Sequence, residues 1–247
     1  VVEPDPYGGD LALRCAAPGG RGEAFPPTPT VLTLATEART AMSPGLVASK
    51  AHDFTGSTRI VPGHFSAEQA AGVKNWTPLA EALRMSASRV VADLGRIHSS
   101  SPTMPIAAAA DVLVVVTRPE YGAVLHLKDR LERLAPVLAG IRNAPPIIVP
   151  VVVTAKRQAN AVVAEVGRML EPSTAARAVA GIGWIALDPA GVDLMYAGEV
   201  SGKNARTPLM KSAGVLNDQI NQAGGVGPYA PPAATPVDTY AVQMEEA

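Results

Sequence analysis

The 247-residue chain carries 21 Lys and Arg against 22 Asp and Glu, a net charge of −1. It therefore offers polyanions no overall attraction, and DNA contact would have to come from a local patch or from another subunit. Hydrophobic residues make up 47% and aromatics only 4%, which describes an Ala/Val/Leu core of the kind that packs helices on a parallel sheet, and the Ala, Gly and Pro richness is that of a high-GC genome. The single cysteine, Cys15, excludes an internal disulfide, and no run approaches the roughly 18 apolar residues of a membrane span. A soluble, cytoplasmic α/β protein is expected.

Val1-Val2-Glu3 reads as the second half of a strand already under way, so further sequence upstream is expected. Pro4 to Gly9 is a turn-rich loop, Asp10–Cys15 a short helical start, and 16–29 a Gly/Pro-rich loop. Thr28 is expected to cap a helix with Pro29 in its first turn and Val31, Leu34, Ala35, Ala38 and Met42 on one face. Residues 43–57 are read as irregular, 58–61 as a short strand, and Ser66 to Gln69 as a capping box. A further helix starts at Thr77-Pro78 and runs to about Met85.

Residues 89–119 form the central unit: a strand over 89–93, a polar loop, a short Ala-rich helix near 103–109, and a strand over 111–117. The uninterrupted Val/Leu run of that second strand predicts burial on both faces. A helix over about 120–139 follows, with the stripe Val124, Leu127, Leu131, Leu134 and Leu138. Then come a strand over 147–153 ending at Thr154, a helix with Val162, Val166 and Leu170, a strand over 184–187 ending at Asp188-Pro189, and a helix capped by Thr207-Pro208. Residues 223–247 read as a disordered Pro/Ala-rich acidic tail without a basic amphipathic pattern. Alternating strands and helices predict a doubly wound, mostly parallel sheet with right-handed crossovers.

Ligands of such a sheet bind beyond the carboxyl ends of its strands. That rim collects Glu3, Asp5, Asp93, Gly95 and the Thr117-Arg118-Pro119 corner. An ionised carboxylate at the end of a buried strand needs a partner, so Asp93 is a candidate for metal or nucleotide, against a helix cap or an ion pair. Asp5 between two prolines serves equally as a turn former, and Arg96 and Arg118 fit an anion or a surface ion pair. His52, His64, His98 and His126 have no paired spacing, which argues against a histidine metal site. No G-x-S-x-G elbow accompanies Ser99-Ser100-Ser101, and no G-x-G-x-x-G follows a strand.

Several segments, in order, resemble the MinD/ParA-like P-loop ATPases, particularly their divergent actinobacterial kind. Val1 to Pro6 followed by Gly8-Gly9-Asp10-Leu11-Ala12 is similar to the family's second strand and loop, Val90 to Arg96 to its Walker B strand, and Ala109 to Pro119 to its next strand. Pro208-Leu209-Met210 resembles the closing helix, and the likeness covers about 1–222. The resemblance implies ATP and Mg²⁺ as cofactors, a homodimer around nucleotide, and slow hydrolysis as a switch for positioning or partitioning cargo. It implies Asp5 as the residue that positions the attacking water, Asp93 as the Mg²⁺ carboxylate with Glu3 beside it, and Thr154, Asp188 and Pro189 on the base side of the nucleotide. The chain departs from the family in lacking G-x-x-x-x-G-K-[ST]; the nearest decoy, Ala197 to Asn204, has Ala and Asn at two defining positions and an expected helix before it. Either the phosphate loop lies upstream, or the chain is a catalytically dead scaffold, for example of secretion or conjugation machinery.

Overall fold

In the computed structural model, residues 1–15, 25–64, 66–198, 202 and 204–225 are described. The Pro/Ala-rich stretch after 225 and half of the 197–204 decoy, residues 199–201 and 203, lie outside them. The elements, in order, are α1 (Leu11–Arg14), α2 (Val31–Glu37), α3 (Leu46–Ser49), β1 (His52–Thr55), β2 (Thr58–Ile60), α4 (Ala67–Ala71), α5 (Thr77–Met85), α6 (Met104–Ala109), β3 (Val112–Thr117), α7 (Tyr121–Ile141), β4 (Ile147–Thr154), α8 (Ala159–Leu170), β5 (Gly183–Ala186), α9 (Pro189–Tyr196) and α10 (Pro208–Ala223). Among the described residues no helix is long and apolar enough to cross a membrane.

The architecture is α/β with parallel pairing. β4 runs between β3 and β5, with Val112 opposite Ile147 and Val151 opposite Gly183. Pro150 is tolerated in this middle strand because its missing N–H falls between the Ile148–Val179 bridge and the start of β5 pairing. A second set of parallel bridges places Val2 between Val61 and Ala92. The sheet is therefore in two parts, one built on Val2 and one on β4.

Each part has its own core. Beneath β3 and β4 lie Leu127, Leu131, Leu134 and Leu138 of α7 with Val166 and Leu170 of α8. The stripe is internal because residues three and four apart share one helix face. Beneath Val2 and Val61 lie Val31 and Leu34 of α2, Leu46 of α3, and Leu79 and Ala82 of α5. α6 serves both cores, giving Ile106 to the second and Met104, Ala107 and Ala108 to the first. Leu94 packs against both.

Four expectations are corrected. The first long helix begins two residues later, with Thr30 as its cap and Leu32 N–H donating to Thr30 Oγ1. Residues 52–55 are not irregular: they pair antiparallel with 58–60 across the Gly56 turn, where φ is +56°. The 89–93 run does not form a continuous strand: among the described residues its backbone pairing is the isolated Val2–Ala92 bridge. β3 is not buried on both faces, since Val114 is 36% and Val116 61% exposed. On that face α10 covers β5, with Leu216 beside Gly183, and leaves β3 bare.

Candidate functional site

The two strands around Val2 carry three carboxylates to one rim. Glu3 is only 4% exposed. Its Oε1 accepts from Asp10 N (2.8 Å) and Leu11 N (3.1 Å), the first amides of α1, and its Oε2 accepts from Gly63 N (2.8 Å). Backbone approaches this closely because the neighbours are glycines: a Cβ on Gly9 would overlap the Glu3 carboxylate, and one on Gly63 would lie 2.9 Å from Oε2. Burial pushes the Glu3 carboxyl up, the three amides oppose that, and the negative Asp93 adds to the rise. Glu3 thus has both oxygens committed to backbone and ties the 8–11 loop to the 62–64 loop.

Asp5 and Asp93 stand above it. Asp5 Oδ1 accepts from Tyr7 N at 2.9 Å, so the residue does form the turn its prolines suggested. Asp93 is exposed, and its Oδ1 accepts from Gly95 N at 3.0 Å. Partial burial raises the Asp5 carboxyl, the Tyr7 amide lowers it, Asp93 raises it again, and nearby His64 lowers it. Each of these two carboxylates keeps one oxygen free of the hydrogen bonds described here. Tyr7 Oη and His98 Nε2, 2.8 Å apart, join the two loops over the pair.

The remaining predicted residues lie on the other part of the sheet. Thr154 closes β4 at 2% exposure, and its Oγ1 has no hydrogen-bond partner among the described residues. Leu187 N donates to the Thr154 carbonyl at 2.9 Å, which brings the Asp188-Pro189 corner alongside. Asp188 caps α9 through Oδ1 to Gly191 N (3.1 Å) and holds α10 through Oδ2 to Leu209 N (3.1 Å), with Pro189 in the first turn. The structure therefore gathers Glu3, Asp5 and Asp93 in one group and Thr154, Asp188 and Pro189 in another on the same rim. Neither Arg96 nor Arg118 forms an ion pair among the described residues.

Sequence reasoning passed over His64. It is 1% exposed, neither ring nitrogen has a partner among the described residues, and its carbonyl accepts from Gly9 N at 2.7 Å. Its position directly after a strand end and a Pro-Gly pair was the available signal.

Among the described residues no cluster of three or more His, Cys, Asp or Glu could by itself hold a metal ion. Two carboxylates with free oxygens instead fit Mg²⁺, which takes one or two protein carboxylates and completes its shell with water and phosphate.

No family model matches the chain, and neither does any curated protein sequence. Solved structures do. A ParA family ATPase from Chlorobium tepidum is similar with a TM-score of 0.62 and 14% identity, over 90% of this chain and 82% of that one. The cell division ATPase MinD of Pyrococcus furiosus gives 0.60 and 17%, over 90% and 84%. An ATP complex of a McdA variant from Cyanothece gives 0.54 and 12%, over 93% and 85%. At such identities the likeness is one of architecture, and the chain has the fold of the ParA and MinD ATPases.

Proposed function

We propose that this protein is a cytoplasmic nucleotide-dependent switch that binds ATP with Mg²⁺, dimerises around the nucleotide, and positions or partitions a cargo. The observation that carries the reading is the convergence of Asp5 and Asp93, each with a free oxygen and without a cationic partner among the described residues, on the rim of a ParA/MinD fold. Bound Mg²⁺·ATP supplies the phosphoryl group and the neutralising charge that such transfer requires. Asp93 holds the metal. Asp5 orients the attacking water through the oxygen that its hydrogen bond to Tyr7 N leaves free. Glu3 fixes the loop that carries Asp5, and Thr154 with Asp188-Pro189 borders the base.

Calorimetry of Mg²⁺·ATP with the natural polypeptide and its Asp93→Asn variant tests this. Binding by the natural polypeptide, weakened in the variant only when Mg²⁺ is present, is the expected result. A natural polypeptide that gives no heat with ATP overturns the switch. The second reading, a scaffold of the same fold without hydrolysis, is favoured by one observation, that residues 1–247 contain no G-x-x-x-x-G-K-[ST].

A further inference from the structure

The carboxylate group and the Thr154 group are tied together at the rim by α9. Its first turn belongs to the Thr154 side: Asp188 caps it through Gly191 N at 3.1 Å and holds Leu209 N of α10 at 3.1 Å. Its last residue, Tyr196, belongs to the other part. The ring packs against the small cluster of Cys15, Phe25 and Ile60, and the Arg14 guanidinium lies over it, 5.9 Å from the ring centroid. Two residues further on, the Gly198 carbonyl accepts from Thr55 Oγ1 of β1 at 3.2 Å. A helix of eight residues, about 12 Å long, therefore starts against one part of the sheet and ends against the other.

The far end of this tie leads back to the carboxylates through α1. Leu11 and Ala12 of α1 pack against the same cluster as Tyr196, and Arg14 also pairs with Asp10, one turn earlier. The amides of Asp10 and Leu11 are the donors that hold Glu3 Oε1, and Glu3 stands two residues before Asp5. The contact is tight, because a Cβ on Gly9 would overlap the Glu3 carboxylate. A shift of α1 therefore moves the donors that fix Glu3 and, with Glu3, the loop that carries Asp5. α6 couples the two parts through their cores; Tyr196 couples them at the rim.

We infer that Tyr196 is a positioning residue for the nucleotide reaction. Its ring, held between Arg14 and the Cys15, Phe25 and Ile60 cluster, fixes how far Asp5 stands from Thr154 and Asp188, and so aligns the phosphate end of the ligand with its base end. The inference rests on the reading of this rim as a Mg²⁺·ATP site. Tyr196 acts through α1 and Glu3 and takes no part in the chemistry itself.

Steady-state hydrolysis and Mg²⁺·ATP titration of the natural polypeptide, Tyr196→Ala and Tyr196→Phe test this, together with amide exchange in the absence of ligand. Tyr196→Ala should lower kcat about tenfold while affinity for Mg²⁺·ATP changes by less than about threefold, because alignment is lost and binding is not. The Asp10 and Leu11 amides should exchange about tenfold faster in that variant, with the amides of β4 unchanged. Tyr196→Phe, which keeps the ring, should restore both. A lower melting temperature with kcat and these exchange rates unmoved would reduce Tyr196 to a stabilising residue and overturn the inference, as would a Tyr196→Phe variant as impaired as Tyr196→Ala. If Tyr196→Ala does not fold, Arg14→Met, at an exposed position, takes its place: the same split in kcat and exchange is expected, and natural values for both sink the idea. A natural polypeptide without ATP hydrolysis removes this role together with the switch, whereas one that hydrolyses ATP and is matched by Tyr196→Ala removes the inference alone.

Discussion

Gly95 lies against the Asp5 carboxylate so closely that a Cβ at position 95 would overlap it, and the same glycine donates its N–H to Asp93. Its φ of +59° is left-handed, a conformation that costs an L-residue about 1–2 kcal/mol. Gly95→Ala should therefore lower stability by about that amount, read from denaturant midpoints, and should slow ATP hydrolysis more than loss of stability explains, because Asp5 must move.

Glu3→Gln replaces one acceptor oxygen with an amide that faces backbone N–H donors. The side chain of Glu3 serves Asp10, Leu11 and Gly63, so at least one buried N–H loses its acceptor, at about 1–3 kcal/mol. Thermal unfolding checks the size, and exchange of the Gly63 amide checks the cause.

The pH dependence follows from the raised carboxyls of Glu3 and Asp5. A carboxyl whose value is higher in the folded state keeps its proton there after the unfolded chain has lost it, so folding takes up protons and stability falls as pH rises. The fall begins near the ordinary carboxylate value of about 4 and ends once pH passes the raised values. Denaturant midpoints across that interval should decline less steeply in Asp5→Asn than in the natural residue's background; an unchanged slope would contradict the assignment.

Thr154 Oγ1 is buried without a partner among the described residues. Thr154→Val removes an unsatisfied hydroxyl while keeping shape, so without ligand it should be neutral or stabilising by up to about 1 kcal/mol. If Thr154 meets the nucleotide as proposed, calorimetry should show weaker Mg²⁺·ATP binding in the same variant.

Asp188→Ala breaks both the α9 cap and the bond to Leu209 N. Loss of such a cap costs about 0.5–2 kcal/mol, and the second bond should place this variant at the upper end. Helical circular dichroism during melting would show α9 and α10 loosening together.

The sequence disclosed what depends on local chemistry. The α7 stripe, Thr207 as the cap of α10, with Oγ1 accepting from Met210 N at 3.2 Å, and the parallel strands all follow from periodicity and cap residues. Thr28 was expected to cap α2; Thr30 takes that place, with Oγ1 accepting from Leu32 N and with Val31 N donating to the Pro62 carbonyl. The placing of Asp93 and Asp5 on one rim was legible because carboxylates at strand ends are conspicuous. The roles of Gly9, Gly63 and His64 were not, since they arise from loops that meet only after the strands have paired. The exposure of Val114 and Val116 was unreadable for the converse reason: a valine run reports the environment a strand is suited to, whether or not neighbouring chain is there to supply it.

The carbonyl of Ala109 accepts from Arg84 Nη1 at 3.0 Å and from Arg142 Nη1 at 3.3 Å. One oxygen at the end of α6 is thereby gripped from α5 on one side and from just beyond α7 on the other. Because α6 also sits in both cores, it acts as a clamped axle between the carboxylate-bearing strands and the Thr154 side of the rim. A twist of one part of the sheet against the other would stretch these two guanidinium contacts, which tie α5 and the end of α7 to the same carbonyl.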